Sequence, residues 1–136
     1  MRNKVYESIK KHEGLRLKPY KCPAGKLTIG YGRNLEDNGI TELEAEELLR
    51  NDIFRINEEL MDSIGQYPSL PLFIKDVLVE MAYQMGVNGL LKFEKTLEFV
   101  SQGAYEKASI EMLDSQWAKQ TPQRAKTLSN LMKGGN

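Results

Sequence analysis

The longest regular pattern in the sequence begins at Thr41, and it constrains the fold more than any other feature. Glu44 follows Thr41 at the spacing of a capping box, in which each side chain hydrogen-bonds the backbone of the other residue at a helix start. Apolar residues then recur every three to five positions as far as Ile64, which is the period of an amphipathic helix. We therefore predict one long helix of about 23 residues.

The sequence before this helix has two different patterns. Val5 and Ile9 recur at helical spacing before a glycine, which predicts a short helix that ends near Glu13. Residues 15–35 then contain two β-type runs, LRLKPY and KLTIGYG, separated by turn-forming residues 22–25. This segment predicts a β-hairpin or a three-stranded sheet with glycine-rich corners.

The sequence after the long helix is helical throughout. The prolines of residues 67–71 end the long helix, and Pro71 is well placed to begin the next one. Residues 72–85 are apolar on nearly every side, which predicts a helix buried within a bundle. Gly86 and Gly89 are expected to break that helix. Shorter helices are predicted near Lys92–Gln102, Tyr105–Leu113 and Pro122–Met132.

These patterns together predict an α+β fold in one domain, residues 1–136. A small β-containing lobe at about residues 12–60 would be joined by the long helix to an all-helical lobe. The helical lobe would comprise about residues 66–136 together with the N-terminal helix. Two lobes joined by one helix are expected to form a cleft. With 136 residues, 40% of them hydrophobic, the chain has the size and composition of one globular domain.

The charges exclude some classes of protein. Nineteen basic residues balance nineteen acidic ones, so the chain lacks the positive excess of a general nucleic-acid binder. Residues 1–35 carry nine Lys or Arg against two acids, and residues 36–66 carry two against ten, which would give the first segment a positive potential toward an anionic polymer. With Cys22 as the one cysteine and no long apolar run, we expect neither an internal disulfide nor stable membrane association.

The segment that carries chemistry reads H-E-G-L-R-L-K-P-Y-K-C-P-A-G-K-L-T-I-G-Y-G. It resembles the active-site segment of the phage lysozymes of the bacteriophage T4 type. In that family a catalytic Glu is followed after eight residues by Asp or Cys, and after five more by Thr. Glu13, Cys22 and Thr28 have this spacing. The resemblance continues in Y-Q-M-G at residues 83–86 and W-A-K-Q-T-P-Q-R-A at residues 117–125.

The resemblance implies a lysozyme that hydrolyses the β-1,4 linkage between N-acetylmuramic acid and N-acetylglucosamine in bacterial peptidoglycan. It further implies a phage endolysin made in the host cytoplasm and released to the wall by a separate pore-forming partner. We expect a monomer that needs no cofactor. His and Cys residues also lack the spacing of a metal site.

The resemblance assigns the catalytic roles residue by residue. Glu13 would donate the proton to the leaving oxygen, and Thr28 would orient a water molecule. Cys22 stands where the best-known relatives have Asp, and its role stays open. It is a weak base that assists a water, a nucleophile that forms a covalent sugar intermediate, or an ordinary turn residue. His12, next to Glu13, is expected to face solvent.

The resemblance also implies residues around the catalytic group. Leu35, Tyr83 and Thr96 align with positions that contact the substrate, although Tyr83 could equally pack in the helical core. Arg124 is implied to pair with Glu13. Trp117 is expected in the core rather than on the ligand.

Two other classes of function remain to be weighed. The Cys in place of Asp raises the alternative of a wall-binding module with a lysozyme-like fold but no turnover. A helical nucleic-acid-binding protein is disfavoured by the balanced charge.

Overall fold

The computed structural model describes residues 3–134, and its fold is α+β, as predicted. A short 3-10 helix at Tyr67–Ser69 precedes the fourth helix. The helices are α1 (Asn3–Glu13), α2 (Leu35–Asn38), α3 (Glu42–Ser63), α4 (Leu72–Met85), α5 (Val87–Leu91), α6 (Glu94–Ser101), α7 (Tyr105–Leu113), α8 (Gln116–Gln120) and α9 (Pro122–Met132). The strands are β1 (Arg16–Lys21), β2 (Leu27–Gly30) and β3 (Arg33–Asn34).

The chain divides into two compact units, the first ending at Leu48 and the second beginning at Leu49. The first unit holds α1, the sheet, α2 and the first residues of α3. The second unit holds the rest of α3 and the helices that follow it.

The sheet of the first unit is antiparallel with the order β1-β2-β3, which confirms the predicted three-stranded arrangement. Thr28 pairs with Tyr20 on one side and with Asn34 on the other, so β2 is the central strand. A register shift interrupts the β1–β2 pairing between Arg16 and Tyr20. This irregularity falls where Pro19 supplies no backbone N–H for the ladder.

The start of α3 confirms the predicted capping box. The Glu44 amide donates to Thr41 Oγ1 at 3.1 Å, and the Thr41 amide donates to Glu44 Oε1 at 2.8 Å. Arg33 of β3 also binds this carboxylate, with Nη1 donating to Oε1 at 2.9 Å. The cap therefore joins the end of the sheet to the start of the long helix.

A continuous apolar core holds the second unit together. Trp117 belongs to this core, as predicted, and its Nε1 donates to Gln84 Oε1 at 2.8 Å. The motifs at residues 83–86 and 117–125 are therefore in direct contact. Fully buried core side chains include Leu60, Tyr67, Ile74, Val77, Leu78, Met81, Leu90, Met112, Leu128 and Met132.

Three details of the predicted helices were wrong. Gly89 lies inside α5 rather than at a break, because Gly86, at φ +82°, already ends α4. A Cβ at Gly89 would lie 3.1 Å from Met85 Cγ, so the glycine permits close packing. Helix α4 is not buried on every side, since Leu72 is 72% exposed. Pro71 caps α4 instead of opening it, because its extended ψ of 149° places it outside the helix.

Among the described helices, none is both long enough and apolar enough to span a membrane.

Candidate functional site

Glu13 is the last residue of α1, the position that the sequence predicted. The helix ends there because Gly14 adopts a positive φ of 72°, which favours glycine. The Glu13 side chain lies against the backbone of Gly32, in the turn between β2 and β3. A Cβ built on Gly32 would meet the carboxylate, with Glu13 Cδ only 2.9 Å away. Gly32 therefore leaves the space that the Glu13 carboxylate occupies.

Cys22 lies at the turn between β1 and β2. The Gly25 amide donates to the Cys22 carbonyl at 2.8 Å, and the Cys22 amide donates to the Lys26 carbonyl at 2.9 Å. These two bonds close the turn, and Gly25 supplies the positive φ of 81° that it needs. The local sequence C-P-A-G therefore holds the Cys22 side chain at the end of the hairpin, half-buried.

Hydrogen bonding lowers the pKa of the Cys22 thiol below its usual value. A backbone hydrogen bond from Lys26 is the largest cause, and the Ala24 backbone and the Thr28 hydroxyl add smaller ones. Desolvation raises the pKa but does not cancel this effect. A larger fraction of Cys22 is therefore in the thiolate form near neutral pH than for a free cysteine.

Thr28 is the one buried side chain among the described residues of the first unit, with 3% of its surface exposed. Its hydroxyl donates to the Lys26 carbonyl at 2.8 Å. The same carbonyl accepts from the Cys22 amide, so one backbone group links Cys22 and Thr28. The structure brings these two predicted site residues together at the hairpin end.

Positive charge lies one helical turn before Glu13. The Lys10 ammonium is 5.1 Å from the centroid of the Tyr6 ring and 5.5 Å from that of the Tyr31 ring. Both are cation–π distances, and they restrain the lysine. His12 is exposed, as predicted, and its Nδ1 lies 2.9 Å from the Ser8 carbonyl.

Tyr83 and Arg124 lie together in the second unit and line one cavity of about 370 Å³. Tyr83 is 47% exposed, so the alternative that it packs in the core was wrong. Arg124 Nε donates to Glu80 Oε2 at 2.9 Å. Because Glu13 belongs to the first unit and Arg124 to the second, the implied pairing of these two residues stays a prediction.

Thr96 and Leu35 lie elsewhere. Thr96 is only 2% exposed and lines a different cavity of the second unit, of about 480 Å³, together with Phe93 and Trp117. The two aromatic rings meet edge to face with centroids 6.0 Å apart. Leu35 is the first residue of α2, partly buried in the first unit.

Comparison with known proteins connects these positions to a family. The family model for phage lysozyme matches residues 10–133, a range that includes Glu13, Cys22 and Thr28. The chain belongs to the phage lysozyme family. Its function is therefore that of a lysozyme-like glycosidase.

Curated relatives of different kinds align with most of this family member. Probable T4-type lysozyme 2 of Dictyostelium discoideum is 26% identical over 165 residues, covering 99% of this chain and 96% of that protein. The endolysin of Acyrthosiphon pisum secondary endosymbiont phage 1 is 34% identical over 117 residues, covering 82% of this chain and 75% of that protein. The pre-baseplate central spike protein Gp5 of Enterobacteria phage T4 is 28% identical over 158 residues, covering 96% of this chain and 28% of that protein.

Sequence reasoning missed the close neighbours of two predicted residues. The sequence predicts only glycine-rich corners around Gly32, although its place in the G-Y-G run could have signalled a close backbone approach. Glu80 went unnoticed because it lies in the most apolar helix. Its side chain is exposed, so nothing in the sequence signalled a partner on another helix.

Proposed function

We propose that this protein is an N-acetylmuramidase, which hydrolyses the β-1,4 linkage between N-acetylmuramic acid and N-acetylglucosamine in peptidoglycan. The observation that carries the proposal is the position of Glu13. Its carboxylate is exposed at the end of α1, in the space that Gly32 leaves open, within the chain range that matches the family. A glycosidase needs one carboxylic acid so placed that it can protonate the leaving oxygen.

In the proposed reaction Glu13 gives its proton to the glycosidic oxygen as the bond from that oxygen to the sugar C1 breaks. An oxocarbenium-like centre forms at C1, and a water molecule attacks it. The Thr28 hydroxyl orients this water by accepting a hydrogen bond from it, since its own proton is donated to the Lys26 carbonyl. The water proton passes to the Cys22 thiolate. Exchange with solvent then returns the proton to Glu13.

The lowered pKa of Cys22 supports the role of base, because a larger thiolate fraction is available to accept the proton. Direct attack by water on the face opposite the leaving group inverts the configuration at C1. If Cys22 instead attacked C1 itself, the product would retain its configuration. The anomeric form of the first product therefore distinguishes the two roles.

Substrate contacts are proposed in both units. Leu35 would contact the glycan in the first unit, and Tyr83 would do so in the second, whereas Thr96 is too buried, at 2% exposed, to contact it directly. An exposed aromatic ring such as Tyr83 packs well on the apolar face of a sugar. Arg124 would support the site as the basic group beside Tyr83.

For the biological setting we propose a monomeric phage endolysin, made in the bacterial cytoplasm. It would reach the wall after a separate pore-forming partner opens the inner membrane. Similarity to an endolysin supports this setting. Cells that express the chain should therefore remain intact until their inner membrane is permeabilised, and should then lyse. Lysis without permeabilisation would contradict the need for the partner.

The bond specificity is tested with purified peptidoglycan. After digestion, borohydride reduces the newly formed sugar ends, and mass spectrometry identifies which sugar carries them. A muramidase leaves reduced muramic acid. Reduced glucosamine would overturn the proposed linkage, and no new reducing ends at all would leave the chain a wall-binding module.

A further inference from the structure

Three side chains on one face of α1 meet the turn between β2 and β3. Tyr6, Lys10 and Glu13 follow one another at spacings of four and three residues, so they share one side of the helix. The Lys10 ammonium is 5.5 Å from the centroid of the Tyr31 ring. The next residue of the turn, Gly32, lies against the Glu13 carboxylate. The turn therefore contacts both the proposed proton donor and the lysine one helical turn before it.

Lys10 and Glu13 have the spacing of a helical ion pair but do not form one. A lysine and a glutamate three residues apart are neighbours on a helix surface and attract each other. Within residues 3–134, however, their charged groups do not come within ion-pair distance. The Lys10 ammonium lies instead near two rings, 5.1 Å from the centroid of Tyr6 and 5.5 Å from that of Tyr31. Two cation–π contacts together outweigh one exposed ion pair of this spacing, so the rings hold the charge.

The position of this ammonium matters for a carboxyl group that has to donate a proton. A cation paired with a carboxylate stabilises the ionised form, which has no proton to give. The ammonium would also donate hydrogen bonds to the oxygens that have to reach the glycosidic oxygen. A lysine free to reach Glu13 would therefore oppose general acid catalysis.

The cations that begin the neighbouring strands are held by other groups. Arg33 of β3 binds the Glu44 carboxylate, with Nη1 donating to Oε1 at 2.9 Å. The Arg16 guanidinium of β1 is 4.4 Å from the centroid of the Tyr20 ring. Lys10 differs from both arginines because it shares a helix face with the proposed proton donor.

We propose that Tyr6 and Tyr31 are positioning residues, which hold the Lys10 ammonium away from Glu13 and so keep that carboxyl group able to donate its proton. The inference rests on the proposed function, in which Glu13 protonates the leaving oxygen. It predicts that loss of both rings lowers turnover by releasing a charge. Removal of that charge should then restore turnover.

The test replaces both rings in the whole protein and measures the reducing ends released from soluble peptidoglycan fragments. Both tyrosines are more than a third exposed, so the fold does not depend on burying them. Tyr6→Leu/Tyr31→Leu should lower kcat by about two- to fivefold, the size of one exposed ion pair, with little change in KM. Adding Lys10→Met to this leucine variant should restore kcat. The matched control, Tyr6→Phe/Tyr31→Phe, keeps both rings and should retain kcat.

NMR separates this inference from the proposed function. Nuclear Overhauser contacts should connect the Lys10 ε-protons to the tyrosine rings in the unmodified protein and to the Glu13 side chain in the leucine variant. The inference is overturned if Lys10 does not move toward Glu13, if Lys10→Met fails to restore turnover, or if the leucine and phenylalanine variants turn over equally. An unmodified protein that releases no reducing ends would overturn the proposed function, and the NMR contacts would still decide what holds Lys10.

Discussion

Gly32 and Glu13 fit together so closely that a side chain at position 32 would occupy the place of the Glu13 carboxylate. The two residues come from different elements, the turn after β2 and the end of α1. Their contact makes a backbone position in the turn between β2 and β3 responsible for the placement of the proposed proton donor.

Gly32→Ala is therefore expected to impair both stability and turnover. The positive φ of 78° costs an alanine about 1–2 kcal/mol, and the added methyl group displaces the Glu13 carboxylate. Gly30→Ala is the matched control, because Gly30 has a similar φ of 70° but no atom within 4 Å of a Cβ. Urea unfolding should show similar losses of stability, with turnover falling much further in Gly32→Ala. Equal turnover of the two variants would argue against the steric role of Gly32.

The Cys22 variants separate its proposed roles by what each side chain supplies. Cys22→Asp should remain active because it supplies a base, and Cys22→Ser should be clearly slower because a serine hydroxyl does not ionise near neutral pH. Alkylation by iodoacetamide should accelerate at a lower pH than for a free cysteine, since the pKa of the thiol is lowered. Equal turnover of the Ser and Cys proteins at several pH values would make Cys22 a turn residue only.

Glu44 should make the first unit sensitive to acid. Hydrogen bonds from Arg33, and then from the Thr41 backbone, lower the pKa of Glu44 from its ordinary value of 4.5 to about 2. A carboxyl with a lowered pKa contributes stability that is fully present above its unfolded pKa and is lost as the pH falls through the folded value. The contribution of Glu44 should thus be complete above pH 5 and disappear toward pH 2.

Glu44→Gln tests this expectation because glutamine keeps the capping hydrogen bond and loses the charge. Its Tm should lie below that of the unmodified protein at pH 7, and the gap should close as the pH approaches 2. Glu46→Gln, at an exposed position of the same helix, should show a smaller gap. A gap that stays constant from pH 7 to pH 2 would show that charge pairing with Arg33 contributes nothing.

Tyr67→Phe tests whether a buried tyrosine hydrogen bond stabilises the second unit. Tyr67 is 1% exposed, and its hydroxyl donates to Asn57 Oδ1 at 2.5 Å. Loss of this hydrogen bond should lower the free energy of unfolding by about 0.5–1.5 kcal/mol. Tyr105→Phe serves as the control, since within residues 3–134 the Tyr105 hydroxyl makes no hydrogen bond with another residue. The free energy of unfolding of both variants is measured with denaturant. Equal losses would show that the hydrogen bond to Asn57 does not stabilise the protein.

The sequence predicted those parts of the fold that depend on neighbouring residues. The capping box of Thr41 and Glu44 lies within four residues, and the hairpin turn at Cys22 closes through Gly25. Both signals are local, so they can be recognised in the sequence without knowledge of the tertiary structure. Helix α5 was missed because Gly89 signals a break locally, whereas its close packing against the Met85 side chain favours a glycine inside the helix.

The candidate site was predictable where the family motif covers it and not where distant residues meet. Glu13, Cys22 and Thr28 came from one motif within sixteen residues. The ion pair between Glu80 and Arg124 joins residues 44 positions apart, on two helices whose facing sides the apolar pattern does not specify. Contacts of this kind depend on how helices pack, and a hydrophobic period fixes only which side of each helix is buried.

The most direct test of the central claim compares Glu13→Gln with Glu7→Gln. Glu7 is an exposed carboxylate of the same helix, so both variants lose one charge with little change in shape. Reducing ends released from peptidoglycan are measured for both and for the unmodified protein. Glu7→Gln should retain its turnover, and Glu13→Gln should fall by about 10²- to 10⁴-fold, the contribution of general acid catalysis. Turnover of Glu13→Gln above about a tenth of the unmodified rate would contradict the assignment of Glu13 as the proton donor.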